Sequence, residues 1–417
     1  MRNFEAHTDE IRKQMLDEIG VKSVEDFFDN IPKACLLNGL DLPDPLSELA
    51  AQKELSRISK ENKTSYTSFL GGGAVRKFIP SAIDDIASRF EFLSAYTPYQ
   101  PEISQGTLQI MYEFQSMMAN LTNMDVSNAS VYDGATACAE ACLMGVRINK
   151  IKNVFISDKL NPNYIEVIKT YLWAQNIKYT VSNSMPENEE FACAIYSYPE
   201  YSGELKHLPD KKNKEIIIAC VDLSILPVVE PPKADIITGD YQSFGLPLNF
   251  GGAYGGFIAT KDEYKRQLVG RIAGKTIDKE GKISYVLTLQ AREQHIRRSK
   301  ATGNICSNQA LTALCAALYI SLTGENALKE YANLSYQNAH KLANGLKSKG
   351  YEIKNHNFFN SFSLKMKNSI NADKFLALLK EKNILGGIKI DNETILVTTT
   401  EFNDDKDIEL YLNSLNV

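Results

Sequence analysis

Short apolar segments without polar–apolar alternation recur through the middle of this 417-residue chain. They lie at 154–156, 178–181, 192–196, 216–221, 236–238 and 256–259. The stretch 161–174, between the first two, has the apolar spacing of a helix. Strands that lack alternation and are separated by helical crossovers form a mostly parallel sheet that is covered on both faces. The pattern therefore predicts an α/β fold.

The regions that flank these segments differ from them in pattern. Residues 1–65 are polar with helical spacing, so we interpret them as an N-terminal helical arm. Residues 66–322 are expected to form one large α/β domain that ends in an apolar helix over 304–322. Residues 323–417 open with a helix over 326–349 and then alternate strand-like and helical pieces, which predicts a small C-terminal α+β domain. The length suffices, since a domain takes about 100–200 residues.

Charge and composition exclude several classes of function. The net charge of −5 supplies no basic field for nucleic acid or an anionic membrane. No apolar run approaches the roughly 18 residues of a membrane span, and residues 1–20 lack the apolar core of a signal peptide. The seven cysteines show neither CxxC pairs nor zinc-like spacing, so we interpret them as buried free thiols. We expect a cytoplasmic protein with no metal site.

The junction between a short extended piece and a helix, at 130–137, is a candidate phosphate site. A glycine-containing turn at a helix N-terminus offers free N–H groups and the positive end of the helix dipole. Gly134 and Thr136 are the residues that would bind a phosphate there. A strand-to-helix turn that binds no ligand explains the same residues equally well.

Asp222 follows the apolar segment 216–221 directly. The carboxyl end of a strand is where α/β sheets place ligand-binding groups. In an enzyme that uses pyridoxal phosphate (PLP), an aspartate at such a position keeps the pyridine nitrogen protonated, so that the ring can act as an electron sink. The alternative is a helix cap or a loop hydrogen bond.

The loop that follows the next strand lacks a lysine. A PLP enzyme of this architecture would carry its Schiff-base lysine about twenty residues beyond the aspartate. The chain has Asp240-Tyr-Gln-Ser243 in that place. Lys233 precedes the strand, and Lys261 follows the next one, so neither is expected to supply the amine. The absence of this lysine favours a noncatalytic partner subunit over a chain that is itself the catalyst.

Four motifs occur in order along the chain and identify its resemblance to a family. Segment 96–106 resembles YTPYQPE-S-QG, 132–137 resembles YDG-T, 242–252 resembles QS-G-PL--GG, and 288–306 resembles TREQHIRR followed by KAT-NIC. Together they resemble the glycine decarboxylase (P-protein) family of the glycine cleavage system, over essentially the whole chain. The resemblance is to the α subunits of that family, which lack the cofactor lysine. One departure is Lys77, where the family usually has histidine.

The resemblance implies a fold similar to fold-type I PLP-dependent transferases and an (αβ)₂ heterotetramer. PLP would be held by the β subunit and not covalently by this chain. Glycine would lose carbon dioxide there, and the aminomethyl group would pass to the lipoyl arm of H-protein. The isolated chain is expected to be inactive, and Gly134, Thr136, Asp222 and Ser243 to be vestigial cofactor-site positions.

The resemblance also implies candidate residues for the partner's site. Tyr96, Tyr99, Glu102 and Gln105 would form a wall of the partner's active site and of the channel for the lipoyl arm. Tyrosine offers rigid apolar area with a polar tip, which suits interfaces. Packing between subunits is the alternative role.

Two other kinds of function stay open at this point. One is a self-sufficient fold-type I PLP enzyme that uses an unexpected lysine. The other is a nonenzymatic scaffold on that fold. The basic cluster of His295, Arg297 and Arg298 fits either a salt-bridge network or capture of an anion.

Overall fold

The computed structural model describes residues 7–37, 39–367 and 370–415. The chain divides into two compact units, Met1–Thr64 and Ser65–Val417. The first unit contains helices α1 (Asp9–Ile19) and α2 (Glu48–Ser59), neither of which has a buried residue. The hydroxyls of Thr8 and Ser47 cap these helices by accepting hydrogen bonds from N–H groups of the first turns.

The second unit combines helices with four sheets. Its helices are α3 (Ala82–Ala87), α4 (Phe90–Leu93), α5 (Gln105–Thr122), α6 (Gly134–Asn149), α7 (Pro162–Ala174), α8 (Gln294–Arg297), α9 (Ala310–Ser348), α10 (Ala372–Glu381) and α11 (Asp405–Asn413). Its strands are β1 (Thr67–Ser68), β2 (Val126–Ser127), β3 (Asn153–Ser157), β4 (Lys178–Ser182), β5 (Cys193–Tyr198), β6 (Ile216–Val221), β7 (Ile236–Asp240), β8 (Gly256–Thr260), β9 (Ala273–Ile277), β10 (Ile283–Leu287), β11 (Glu352–Ile353), β12 (Ser361–Lys365), β13 (Ile384–Leu385), β14 (Ile388–Lys389) and β15 (Thr394–Thr398).

The main sheet has seven strands in the order β2-β8-β7-β6-β5-β3-β4. Neighbouring strands from β4 to β7 are parallel, whereas β8 is antiparallel to both β7 and β2. The predicted α/β fold with a mostly parallel sheet is thus confirmed, and each predicted strand is present with ends shifted by at most two residues. The reversal at β8 arises because residues 241–255 return without a crossover helix.

Helix α6 lies directly on this sheet, and its composition explains how. Its residues from Gly134 to Gly145 are all buried, and most of them are small. A Cβ atom on Gly145 would lie 2.6 Å from the Cβ atom of Cys193 in β5. The small residues therefore allow the helix backbone to approach the strands closely.

Helix α9 supplies apolar residues to two hydrophobic cores. Tyr319 and Leu328 pack in the core under the main sheet, whereas Leu342 packs in the C-terminal core. By length and composition α9 could cross a membrane, but the core helix of a globular protein passes the same test. Gly324 (φ 66°) breaks it into two helices, as predicted, although the first begins at Ala310 and not at 304.

The C-terminal part builds a four-stranded antiparallel sheet in the order β11-β12-β15-β14. The short strand β1 pairs with β13, and Phe69 is fully buried against Tyr411 in the same core. Residues 67–69 therefore pack with the C-terminal core, although we assigned them to 66–322. The division of the second unit at 322 stays a prediction.

Two features were not expected from the sequence. The hairpin of β9 and β10 was missed because most of its residues are at least partly exposed and do not form an apolar run. Cys138, Cys142, Cys193 and Cys220 are buried, but Cys35 and Cys306 are exposed, so the interpretation as buried thiols is wrong for these two.

Candidate functional site

A cavity of about 120 Å³ opens where β5, β6 and β7 end. The carboxyl ends of parallel strands are the usual place for ligand groups in such sheets. The predicted residues Asp222 and Ser243 line it, together with Asp240 and Gln242. Other lining residues come from the segment 72–75, from 197–203 and from the C-terminal region at Phe359, Asn360, Ser361 and Leu396.

Asp222 makes the hydrogen bond of a helix cap. Its Oδ1 atom accepts from the N–H of Ser224 at 2.9 Å, at the start of the short 3₁₀ turn Leu223–Ile225. The side chain of Asp222 therefore caps this turn, which was the alternative interpretation. Asp222 also lies at the cavity, at the carboxyl end of β6.

The N-terminus of α6, where we predicted a phosphate position, is bonded by two aspartates of this chain. Asp133 Oδ1 accepts from the N–H of Thr136 at 2.7 Å. Asp240 Oδ2 accepts from the N–H of Gly134 at 3.1 Å, and its Oδ1 accepts from the N–H of Gln242 at 2.7 Å. The carboxylate of Asp240 thus takes the place at the helix dipole that suits a phosphate.

The environment of Asp240 disfavours its charge. Burial raises the pKa of this carboxyl to about 7, against the lowering effect of the two N–H bonds, and the nearby charge of Asp133 adds to the rise. The approach is also tight, since a Cβ atom on Gly134 would lie 2.9 Å from that of Asp240. A buried carboxyl at this position leaves little space for a phosphate. When the carboxyl is ionised, its negative charge would also repel a phosphate.

The loop after β7 is fixed to the segment before α3. The amide of Gln242 accepts from the N–H of Val75 at 2.9 Å and donates to the carbonyls of Val75 and Leu246 at 3.0 and 2.8 Å. Ser243, next in the chain, is buried at the cavity.

The lysines that could supply a Schiff base lie elsewhere. Lys261 Nζ is 2.6 Å from Asp235 Oδ1, just before β7, and Lys233 lines the groove at that opposite end of the sheet. Lys77 is buried in an ion pair with Glu401 at 2.6 Å. Among the residues that the structure describes, no lysine lines the cavity. The residues at this site do not fit a covalently held PLP.

The tyrosine loop, residues 96–105, lies outside this cavity. Tyr96 and Tyr99 are 78% and 51% exposed, and Glu102 is exposed as well. Gln105 differs from them because its amide is bonded within the chain. Its Nε2 atom donates to the carbonyls of Pro101 and Tyr285 at 2.7 and 2.9 Å, and its Oε1 atom accepts from the N–H of Tyr285 at 2.8 Å. Gln105 therefore anchors the loop to β10.

Tyr99 contacts a buried ion pair that was not predicted. Arg271 lies under its ring, with the guanidinium carbon 5.1 Å from the ring centroid, and Glu293 lies 3.5 Å from Arg271. His295 packs on Tyr99 at 5.2 Å between ring centroids. Arg271 belongs to none of the motifs, and the signal that could have revealed it is an arginine within the apolar run 268–273.

The three residues of the basic cluster are exposed, whereas the neighbouring Arg292 is not. Arg292 is buried and donates to the carbonyl of Gly270 at 2.7 Å. His295 contacts Gln290 at 3.2 Å, while Arg297 and Arg298 are exposed. In the described parts of the chain no three His, Cys, Asp or Glu side chains are grouped to hold a metal ion.

Solved structures show the class of fold. A cystine C-S lyase complexed with cysteine persulfide aligns with a TM-score of 0.57 at 14% identity, covering 84% of this chain and 97% of that chain. A NifS-like protein aligns with a TM-score of 0.58 at 11% identity. The fold is that of the fold-type I PLP-dependent enzymes, as the sequence predicted.

Closer relatives show the family. The family model for the glycine cleavage system P-protein matches residues 2–415. The probable glycine dehydrogenase (decarboxylating) subunit 1 of Chloroherpeton thalassium is 41% identical over 99% of each chain, and that of Thermotoga maritima is 39% identical over 98% of each. A crystal structure of inhibitor-bound glycine decarboxylase (P-protein) aligns with a TM-score of 0.89 at 36% identity, over 99% of each chain. The chain belongs to the glycine cleavage system P-protein family, which confirms the resemblance found in the sequence.

Proposed function

We propose that this chain is the PLP-lacking α subunit of a heteromeric glycine decarboxylase, glycine dehydrogenase (aminomethyl-transferring), in the cytoplasm. It assembles with a PLP-bearing β subunit as (αβ)₂. Together they remove carbon dioxide from glycine and transfer the aminomethyl group to the lipoyl arm of H-protein. The observation that carries this proposal is the absence of any described lysine at the cavity, in a chain whose relatives are named subunit 1.

The arrangement at α6 supports the view that the cavity is a vestigial cofactor site. A cofactor phosphate at Gly134 would bring its charge against the carboxylate of Asp240, and two anions in one buried site repel each other. Asp222 caps its own turn. Gly134, Thr136, Asp222 and Ser243 are accordingly retained for structure.

The contribution to catalysis comes from the tyrosine loop. Exposed aromatic side chains on a fixed loop are suited to burial by a partner, because tyrosine adds contact area at low entropy cost. Tyr96, Tyr99 and Glu102 line the partner's site, and Gln105 holds them in place. Covering this wall excludes water, which strengthens the electrostatic interactions inside the site. PLP on the β subunit supplies the electron sink.

Co-expression with a lysine-bearing β subunit tests the assignment. We expect a stable complex by mass measurement and glycine-dependent release of carbon dioxide with lipoylated H-protein, both lost when this chain is omitted. If the β subunit and H-protein released carbon dioxide equally fast without this chain, the chain would be a nonenzymatic scaffold. In the same complex, Tyr99→Phe and Glu102→Gln test the wall, and unchanged turnover in both would reduce the loop to packing.

The self-sufficient alternative has its own measurement. If the chain were a self-sufficient PLP enzyme, the purified chain mixed with PLP would show absorbance at ~420 nm, and borohydride would trap an adduct on a lysine. We expect neither. Such an adduct on Lys233, Lys261 or Lys300 would overturn the subunit assignment.

A further inference from the structure

The ion pair beneath the tyrosine loop is buried but incompletely bonded. The side chains of Arg271 and Glu293 are 2% and 6% exposed. Within the described part of the chain, Arg271 Nε and Glu293 Oε1 are buried atoms without a hydrogen-bond partner. Burial also raises the pKa of Glu293, which means that the pair is held at an energetic cost. Buried ion pairs are weak sources of stability, so stability alone does not explain this one.

The guanidinium of Arg271 is directed at three groups at once. Its Nη2 atom donates to the carbonyl of Cys306 at 3.0 Å and to the hydroxyl of Tyr99 at 3.4 Å. Its Nη1 atom faces Glu293 Oε2 at 3.5 Å. A planar guanidinium holds such divergent donors in fixed directions, which a single ammonium cannot do.

Tyr99 is thereby held from two sides while its ring stays half exposed. The guanidinium lies under one part of the ring at 5.1 Å, and the imidazole of His295 packs at 5.2 Å. His295 Nδ1 lies 3.8 Å from the same carboxylate that faces Arg271. The buried charges therefore fix the orientation of a side chain whose outer edge is free to meet another molecule.

We infer that Arg271 is a positioning residue: held by Glu293 and the Cys306 carbonyl, it fixes the Tyr99 hydroxyl in the orientation that the partner's active site uses. This rests on the proposed function, because the tyrosine loop must line that site. Arg271 itself, 1% exposed, does not touch the reacting groups. It acts through the phenol.

A double-mutant cycle in the co-expressed complex tests this inference. Arg271→Lys keeps the charge but not the three fixed directions, so we expect kcat to fall about 10- to 100-fold, since small misplacements of active-site groups cost that much. KM for glycine should stay within about twofold, because the misplacement acts on the reacting geometry. When combined with Tyr99→Phe, Arg271→Lys should lower kcat no more than about twofold further, since its effect passes through the removed hydroxyl.

A spectroscopic readout and a matched control separate positioning from folding. With 3-fluorotyrosine at position 99 of the complex, Arg271→Lys should shift or broaden the fluorine resonance. Arg147→Lys is the control, because Arg147 is another partly buried arginine, bonded to the Gln267 carbonyl at 3.1 Å, and its interactions among the described residues do not include Tyr99. It should leave that resonance in place, and any loss that it causes should multiply with that of Tyr99→Phe.

Losses of Arg271→Lys that multiply with those of Tyr99→Phe, or an unmoved fluorine resonance, would overturn the inference. If Arg271→Lys does not fold, Glu293→Gln takes its place in the same cycle. Tyr99→Phe without effect on turnover would also overturn it. The subunit assignment would survive that result as long as the chain is still required for carbon dioxide release.

Discussion

The cavity at the ends of β6 and β7 and the tyrosine loop are both marked by family motifs, but they use their polar atoms differently. At the cavity, Asp222, Asp240 and Gln242 are bonded within the chain. At the loop, Tyr96 and Glu102 are exposed, and two atoms of the ion pair below Tyr99 have no hydrogen-bond partner among the described residues. The difference teaches that polar groups at the strand ends of this fold can be bonded within the chain, while those of an exposed loop stay available for contacts with another molecule.

The largest expected effect comes from breaking the ion pair. Arg271→Met leaves the carboxylate of Glu293 buried without its nearest cation, and removing one partner of such a pair costs about 3–5 kcal/mol. We expect a loss of that order in the free energy of unfolding, measured with denaturant. Adding Glu293→Leu should restore most of it. If Arg271→Met alone were as stable as wild type, the ion pair would not be buried in solution.

A somewhat smaller effect is expected from pH at Asp240. Its folded pKa of about 7 lies above the unfolded value near 3.8, so its stabilising contribution is complete below pH 3.8 and is lost as pH rises through 7. Lowering pH from 8 to 5 should therefore stabilise wild type relative to Asp240→Asn by at most about 3 kcal/mol. Denaturant titrations of both proteins across this range measure it. Parallel pH curves would show that burial does not raise the pKa of this carboxyl.

The smallest effect concerns the close approach of α6 to β7. In Gly134→Ala the new Cβ atom would lie 2.9 Å from the backbone nitrogen of Asp240 in β7, and overpacking of this kind costs about 1–3 kcal/mol. Gly106→Ala in α5 is the matched control, since no atom of the described residues lies within 4 Å of its Cβ position, and it should be neutral or slightly stabilising. Melting temperatures compare the two. Equal melting temperatures would contradict the tight contact between the start of α6 and β7.

The pattern of apolar residues predicted much of the fold, because buried segments are apolar along their own sequence. All six residues of β6 are buried, which is why they form an apolar run without alternation. The position of Lys233 at the opposite end of the sheet from the cavity also followed from its place before β7. The direction of β8 did not, because it depends on a connection without a helix, which the loop sequence does not mark.

The site was predicted less completely because its contacts are distant along the chain. Asp240 reaches Gly134 across 106 positions, and Arg271 reaches Tyr99 across 172. A single sequence marks Gly134 as a helix start and Tyr99 as part of a motif, but it does not pair either with its partner. Gln105 shows the same limit, since its predicted place in the wall gave no sign that its amide is bonded to Tyr285 in β10.

The anchoring of Gln105 has a consequence for assembly. Its amide bonds hold the end of the tyrosine loop to β10 within this chain alone. Ordering a mobile segment on binding costs about 0.5–1.5 kcal/mol for each immobilised side chain, and a segment that is ordered beforehand avoids much of that cost. In the proposed complex with a β subunit, the affinity would then depend on how much aromatic area the partner covers, and little on ordering of the loop on binding.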